Sequence, residues 1–492
     1  MRITTTELIV YSPPTRWPWP ESLICPISTG PVRVLSFRTV VALSKRWPNL
    51  WLHQIADVRS LFFGQGRNLR FRKVHKAGMP RMGRGVRNFA IVAMLLVIAG
   101  PLPQAAGQSS SAVPSTFFGI TLINQTHWPQ DSVGALGKAP KVTWSYSEPQ
   151  RGVFNWANLD LWVQTAAAHK VDFFFSNALV PPWAAADLRT CAPTYPGSTL
   201  EGCTSTVANI QDWDNFVTAL ATRYKGKLIY ELWNEPNAKT FTGTLAEMVT
   251  LTTHEYNIIR SIDPGALIIT PGCTYGVSGA ADCLDQYFSA GGPTGVDIIS
   301  WHGYWPNPEH VISEIGKLKT MMAKHGLSSK PLWDTEGAWT SVLTAQQQAG
   351  FVARYYLAHA SAGAARFYWY AWDSPTTGTM WDPVAGPHPD AIAYQQVFDW
   401  IVGATMSSAC TMAINATWTC TLTRPGGYQA VAVWNSAGTA SYTPAAIYKS
   451  YRDLAGNTHS VQGAVTVGYN PVLFESQTGP APPTNLSVVS TR

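Results

Sequence analysis

The chain has 492 residues, 46% hydrophobic and 13% charged, with 39 glycines and 35 prolines. That is a globular composition, which excludes a disordered, collagen-like or multi-span membrane protein. The formal charge of +6 is uneven: residues 1–107 hold 15 Lys and Arg against 3 Asp and Glu, while 108–492 hold 20 against 26. The globular part is mildly acidic, so no nucleic-acid partner is expected.

From the N-terminus, residues 1–81 scatter Arg, Pro and aromatics without a sustained period and read as an over-translated, unstructured leader. Residues 82–107 read as a signal peptide. Arg81, Arg84 and Arg87 precede the apolar run Phe89–Gly100, and Ala105 and Gly107 set a cleavage site before Gln108. Twelve apolar residues are too few for a comfortable span, so no stable membrane segment is expected after cleavage. A secreted or periplasmic product follows.

From 112 to 400, short β-rich runs alternate with helical patterns. The runs are 117–123, 141–146, 171–179, 227–233, 266–272, 296–304, 331–337 and 365–372. Helical periodicity covers 159–169, 213–224, 245–262 and 345–362. Near-continuous apolar strands between helices predict a parallel sheet covered by helices. Eight such units over about 250 residues predict a (β/α)8 TIM barrel of the α/β class. An open doubly wound sheet is the rival; no G-x-G-x-x-G follows the first run, so no dinucleotide cofactor, or any other, is expected. The long insertion after the third run carries Pro181, Pro182 and Trp183, as a wall of a barrel mouth would.

After Trp400 the pattern shortens to alternating strands, and no Asp or Glu occurs from 400 to 452. Residues 401–476 predict a small antiparallel β-sandwich-like domain. Residues 477–492 form a Pro-rich tail. Cys25 lies in the leader; the other six cysteines fall in three close pairs, Cys191/Cys203, Cys273/Cys283 and Cys410/Cys420. An even count in an exported chain favours disulfides, and proximity favours these three of the 15 possible pairings. Sequons stand at Asn124, Asn415 and Asn485. The sequence defines no oligomeric state.

Two strand ends carry the chemistry. The fourth run ends in Glu231-Leu232-Trp233-Asn234-Glu235-Pro236-Asn237, and the seventh in Trp333-Asp334-Thr335-Glu336-Gly337. Catalytic groups of such barrels gather at the C-terminal ends of the strands. Strands four and seven can face one another there, and two facing carboxylates are what glycosidic hydrolysis requires. The 21 tryptophans suit sugar stacking as well as packing. Glu231 shares parity with Glu235 and should point inward below it. Asp334 and Asp373 are candidate rim contacts. No H-E-x-x-H and no calcium-loop spacing occurs, so no metal is expected, and no G-x-S-x-G elbow supports a serine hydrolase.

With ELWNEPN, WDTEG and the stretch WSYSEPQRGVFNWANLD at 144–160, the region Phe117–Trp400 resembles the retaining glycoside hydrolases of clan A, most of all family 39, the β-xylosidase-like enzymes. The resemblance implies Glu235 as general acid/base, Glu336 as nucleophile and Asn234 on the sugar 2-OH. His302 and Tyr304 would sit beside Glu336 and keep it ionised. Trp372 would lie under the reacting sugar, and the charge of Glu336 would raise the pKa of Glu235. Clan relatives often carry an arginine near the end of the second strand. Here GALGKAPKVTW has none, so Lys138 or Lys141 substitutes or the segment is shortened. The expected partner is an oligo- or polysaccharide, hydrolysed at β-linkages of plant or microbial glycans. The alternative is a non-catalytic carbohydrate-binding protein on the same barrel.

Overall fold

The computed structural model describes residues 111–129, 133–191, 202–275, 279–340 and 342–476. The leader, the signal segment, the tail and Asn485 lie outside these residues.

Nine short parallel strands make the main sheet. They are β1 (Phe118–Ile120), β2 (Ala135–Leu136), β3 (Asp172–Ser176), β4 (Ile229–Glu231), β5 (Ile268–Ile269), β6 (Cys273–Thr274), β7 (Ile299–Trp305), β8 (Leu332–Trp339) and β9 (Arg366–Trp369). Their order is β5-β4-β3-β2-β1-β9-β8-β7-β6. β5 and β6 are two halves of one segment: β5 pairs with β4 and β6 with β7. A bridge from Ile269 to Ile298 joins the two ends of the order, so the sheet closes with eight strand positions. This is the TIM barrel that the alternating runs predict.

Helices α1 (Trp144–Ser147), α2 (Ala157–His169), α3 (Ile210–Arg223), α4 (Leu245–Ile262), α5 (Ala280–Ser289), α6 (His310–Lys324), α7 (Ala345–Ala362) and α8 (Pro389–Ile401) lie between and after the strands. Capping boxes start α4 (Thr244 with Glu247) and α7 (Thr344 with Gln347), and Gly363 ends α7 at a left-handed φ of 87°. The bottom of the barrel is filled by Ala135, Phe174, Ile229, Ile269, Ile298, Trp333 and Tyr368. These positions face inward by strand alternation.

The second strand is not where the sequence predicts it. Residues 141–146 form a turn, with Lys141 at φ 55°, and the start of α1. The strand is Ala135–Leu136, flanked by Gly134 and Gly137. A Cβ on Gly134 would lie 1.8 Å from the Ser115 carbonyl oxygen, so only glycine fits there. A two-residue strand between glycines leaves no apolar run to read.

Beyond α8 the chain builds a six-stranded antiparallel sheet. Its strands are β12 (Thr411–Met412), β13 (Thr417–Arg424), β14 (Tyr428–Asn435), β16 (Ser450–Arg452), β17 (Thr458–Ser460) and β19 (Val472–Glu475). A second pair, β15 (Ala440–Tyr442) with β18 (Val465–Val467), lies against it over Val431, Val433, Val467 and Phe474. β10 (Trp381–Asp382) and β11 (Gly386–Pro387) form a hairpin after β9. The β-region grips the barrel through buried polar groups. The Arg354 guanidinium is bidentate to Glu309, at 2.6 and 2.7 Å, and lies over the Tyr469 ring. The Trp434 indole N–H donates to the same Glu309, at 2.7 Å. Disulfides join Cys191–Cys203, Cys273–Cys283 and Cys410–Cys420. No helix among the described residues is long and apolar enough to cross a membrane.

Candidate active site

Glu235 leaves the end of β4 with φ 49°, a left-handed backbone that a side-chain-bearing residue rarely adopts. The surroundings over-determine it. Its N–H donates to the Gly272 carbonyl at 3.0 Å, and the Thr240 hydroxyl donates to its carbonyl at 2.6 Å. Asn234 is pinned by its N–H to the Asn177 carbonyl at 2.8 Å, and the Asn177 side-chain amide in turn donates to buried Glu255 at 2.6 Å.

Glu336 reaches the mouth through a bulge. Trp301 of β7 pairs with Asp334 of β8, but His302 pairs with Glu336, so Thr335 is an extra residue in β8. The Thr335 hydroxyl points inward and donates to Glu231 Oε1 at 2.6 Å. Ser176 donates to Glu231 Oε2 at 2.6 Å. Glu231 is therefore inward-facing and fully buried, as strand parity implies, and its partners are one hydroxyl from the adjacent β3 and one from β8 across the barrel.

Above this layer the side chains of the expected site converge. His302 Nδ1 lies 2.9 Å from Glu235 Oε1 and 3.7 Å from Glu336 Oε2, and its Nε2 is 4.0 Å from Glu231 Oε1. A Cβ at Gly272 would stand 2.4 Å from His302 Nε2, so only glycine admits the ring. The Tyr304 hydroxyl donates to Glu336 Oε1 at 2.5 Å. Lys138, just beyond β2, puts its ammonium against both Glu336 and the side-chain amide oxygen Oδ1 of Asn234. Of the two lysines the sequence offers in place of the missing arginine, Lys138 occupies that position, whereas Lys141 is exposed.

Five of the six expected residues, Glu235, Glu336, Asn234, His302 and Tyr304, thus share one network. Trp372 is 7% exposed and packs in the barrel core, its backbone N–H bonded to Thr121. His302 bonds to Glu235 rather than chiefly to Glu336. Asp373 is not a free rim carboxylate: it accepts from the N–H groups of Ile123 and Asn124 and pairs with His127. Asp334 points away from the mouth, to His359 of α7. Trp305, at the mouth end of β7, contacts half-exposed Tyr275 at 4.0 Å between ring centroids.

The electrostatics reverse one expectation. Burial pushes the Glu235 carboxyl up, but the His302 hydrogen bond and charge, Lys138 and a Thr274 hydrogen bond outweigh it and hold the pKa at about 2. These neighbours favour the ionised form of Glu235 over the protonated one. Burial lowers the Lys138 ammonium, against the pull of Glu235 and Glu231, and raises Tyr304 well above its usual value, so Tyr304 remains a donor. Glu235, His302 and Glu336 each place a ligand atom within 4.8 Å of the others. The ammonium of Lys138 already supplies the cation at that cluster, which disfavours a metal there.

A depressed carboxyl stabilises the fold above its ordinary value near 4.5, and that contribution is lost as pH falls toward about 2. Urea midpoints of the wild type should therefore drop more steeply across that window than those of Glu235→Gln. Parallel curves would show that Glu235 is not held down.

Residues 194–351 match the family model of cellulase, glycosyl hydrolase family 5. Among solved structures, the chain is similar to a family 39 glycoside hydrolase from the gut symbiont Bacteroides cellulosilyticus WH2, at 16% identity and TM-score 0.58, covering 73% of this chain and 80% of that one. It is similar to a family 39 β-xylosidase from Caulobacter crescentus, at 15% identity and TM-score 0.52, covering 76% and 98%. It is also similar to CelM2, a bifunctional glucanase-xylanase from a metagenome library, at 13% identity and TM-score 0.52, covering 75% and 97%. No curated protein matches the chain. The structural likenesses establish the fold, and the family match lies across the segment that carries Glu235 and Glu336. The family match over residues 194–351 supports a glycosyl hydrolase on this barrel.

Proposed function

We propose that the protein is a secreted, retaining glycosidase that cleaves β-linked plant or microbial glycans by double displacement. The observation that carries this reading is the pair Glu235 and Glu336 at the barrel mouth, with one oxygen of each within 4.8 Å of the other. Retaining enzymes place their carboxyl groups about 5–5.5 Å apart, and inverting ones need about 6.5–9.5 Å to admit a water. Three disulfides and the segment 82–107 support export.

In this reading Glu336, oriented by Tyr304 and balanced by Lys138, attacks the anomeric carbon, and the bond to the leaving oxygen breaks. Glu235 protonates that oxygen. A carboxyl held ionised takes up a proton from solvent as sugar displaces water from the mouth, and the proton that Glu235 gains in the second step serves the next turnover. In the second step Glu235, ionised again, takes a proton from water, which attacks the anomeric carbon and releases Glu336. Asn234 holds the 2-OH.

The test is hydrolysis by residues 108–492 of nitrophenyl glycosides of xylose, glucose, galactose, mannose, arabinose and fucose in both anomers, with the first-formed product followed by proton NMR. Release of the β-anomer from a β-glycoside is expected. First release of the α-anomer overturns retention. Binding without turnover of any aryl glycoside or polysaccharide would leave the carbohydrate-binding alternative.

A further inference from the structure

We propose that the buried pair Asp334 and His359 are positioning residues that lock the β8 bulge and thereby turn Glu336 into the barrel mouth. The inference rests on the role given to Glu336 above. Simple alternation along β8 would place Trp333 inward, Asp334 outward, Thr335 inward and Glu336 outward. Trp333 does fill the barrel bottom, Asp334 does face α7, and Thr335 does reach Glu231. Glu336 breaks the alternation and meets Tyr304 instead. Something must hold the extra residue in place.

Asp334 does so from behind. Its Oδ1 accepts the N–H of Gly303 on β7, at 3.1 Å, and the N–H of Glu336 itself, at 3.3 Å. One carboxylate oxygen therefore ties both sides of the bulge. Its Oδ2 lies 2.8 Å from His359 Nε2. His359 Nδ1 donates to the Tyr355 carbonyl at 2.8 Å, and the Tyr355 hydroxyl donates to the Gly303 carbonyl at 2.6 Å. The bonds form a closed ring, Gly303–Asp334–His359–Tyr355–Gly303. Asp334, His359 and Tyr355 are each 0% exposed. A Cβ on Gly303 would stand 2.2 Å from Asp334 Oδ2 and 2.6 Å from the Tyr355 oxygen, so the ring closes only around glycine.

The ring also fixes a proton count. A carbonyl only accepts, so His359 Nδ1 carries hydrogen. The 2.8 Å contact at Nε2 then needs one more hydrogen, held by either partner. Aspartate and histidine together are neutral, as a pair so deeply buried should be. Burial raises the Asp334 carboxyl, against the His359 hydrogen bond, in keeping with a shared proton. Asparagine can reproduce this arrangement: its oxygen accepts the two backbone N–H groups, and its amide donates to His359 Nε2. Alanine leaves both N–H groups and the imidazole unpaired.

The experiment compares Asp334→Ala and Asp334→Asn with the wild type, by crystal structure and by kcat and KM on whichever aryl glycoside is turned over. The expected result for Asp334→Ala is a kcat about 100-fold lower, the effect of roughly 1 Å of misplacement, with KM little changed. Its crystal structure should show Glu336 displaced from Tyr304. Asp334→Asn should recover most of the loss and keep the bulge. If the alanine variant does not fold, Tyr355→Phe, which removes the bond to Gly303 alone, should still lower kcat without raising KM. An alanine variant with unchanged kcat and an unmoved Glu336 overturns the proposal. So does an asparagine variant as impaired as alanine. If the wild type turns over no glycoside, the proposed function has failed, and the two crystal structures still decide this inference.

Discussion

Replacing Glu336 by alanine abolishes turnover of every aryl glycoside that the wild-type protein hydrolyses, with kcat falling on the order of 10⁴- to 10⁶-fold, as when a covalent nucleophile is removed. The structure gives the reason. Glu336 is 7% exposed, and it is the carboxylate that both Tyr304 and Lys138 address. The buried carboxylates nearest it in sequence and below it are held elsewhere: Glu231 is fixed by Ser176 and Thr335, and Asp334 faces the opposite side of the sheet. The truncated side chain leaves room at the anomeric carbon, so added azide should restore part of the turnover and give the α-glycosyl azide from a β-glycoside. Truncating Glu235 should act differently. Substrates with good leaving groups still form the glycosyl-enzyme, which then accumulates, and azide releases it as the β-azide. Turnover that survives Glu336→Ala, or azide products of the opposite configurations, would remove the double-displacement assignment.

The barrel was legible because its strands are apolar runs buried on both faces, and its helices carry their own start signals, as Thr244 and Thr344 show. The second strand was not. It consists of Ala135 and Leu136 between two glycines, and what selects it is the close approach of the Ser115 backbone, a tertiary fact. The two glutamates were legible as candidates because each stands in a distinctive local motif, Glu235 just after β4 and Glu336 within β8. The protonation of Glu235 was not legible, because it depends on which carboxylate His302 bonds and where Lys138 ends. His302 is 67 residues from Glu235 in sequence, and a one-position bulge in β8 decides how the facing pairs meet. Asp334 illustrates the same limit. Parity across an unbroken strand would place it with Glu336, and the bulge sends the two carboxylates to opposite faces.

Arg354→Ala should destabilise the protein by about 3–5 kcal/mol, the cost of stranding a buried charge. Arg354 and Glu309 are both buried, at 2% and 8% exposure, and are joined by two hydrogen bonds. Without the guanidinium, Glu309 keeps its charge with only the Trp434 indole for a partner. Glu309 stands five residues after Tyr304, in the connection from β7 to α6, while Trp434 and Tyr469 belong to the β-region. The trio therefore couples packing of the β-region to the segment that carries the donor for Glu336. Urea unfolding followed by tryptophan fluorescence measures the loss, and Glu309→Gln with Arg354→Met together should recover much of it, since a neutral pair of similar volume removes the stranded charge. The single variant should also lose kcat before it loses fold, as the β7–α6 connection loosens and Tyr304 with it. A loss below about 1 kcal/mol, the size expected of an exposed pair, would mean that this contact is incidental to how the β-region is held.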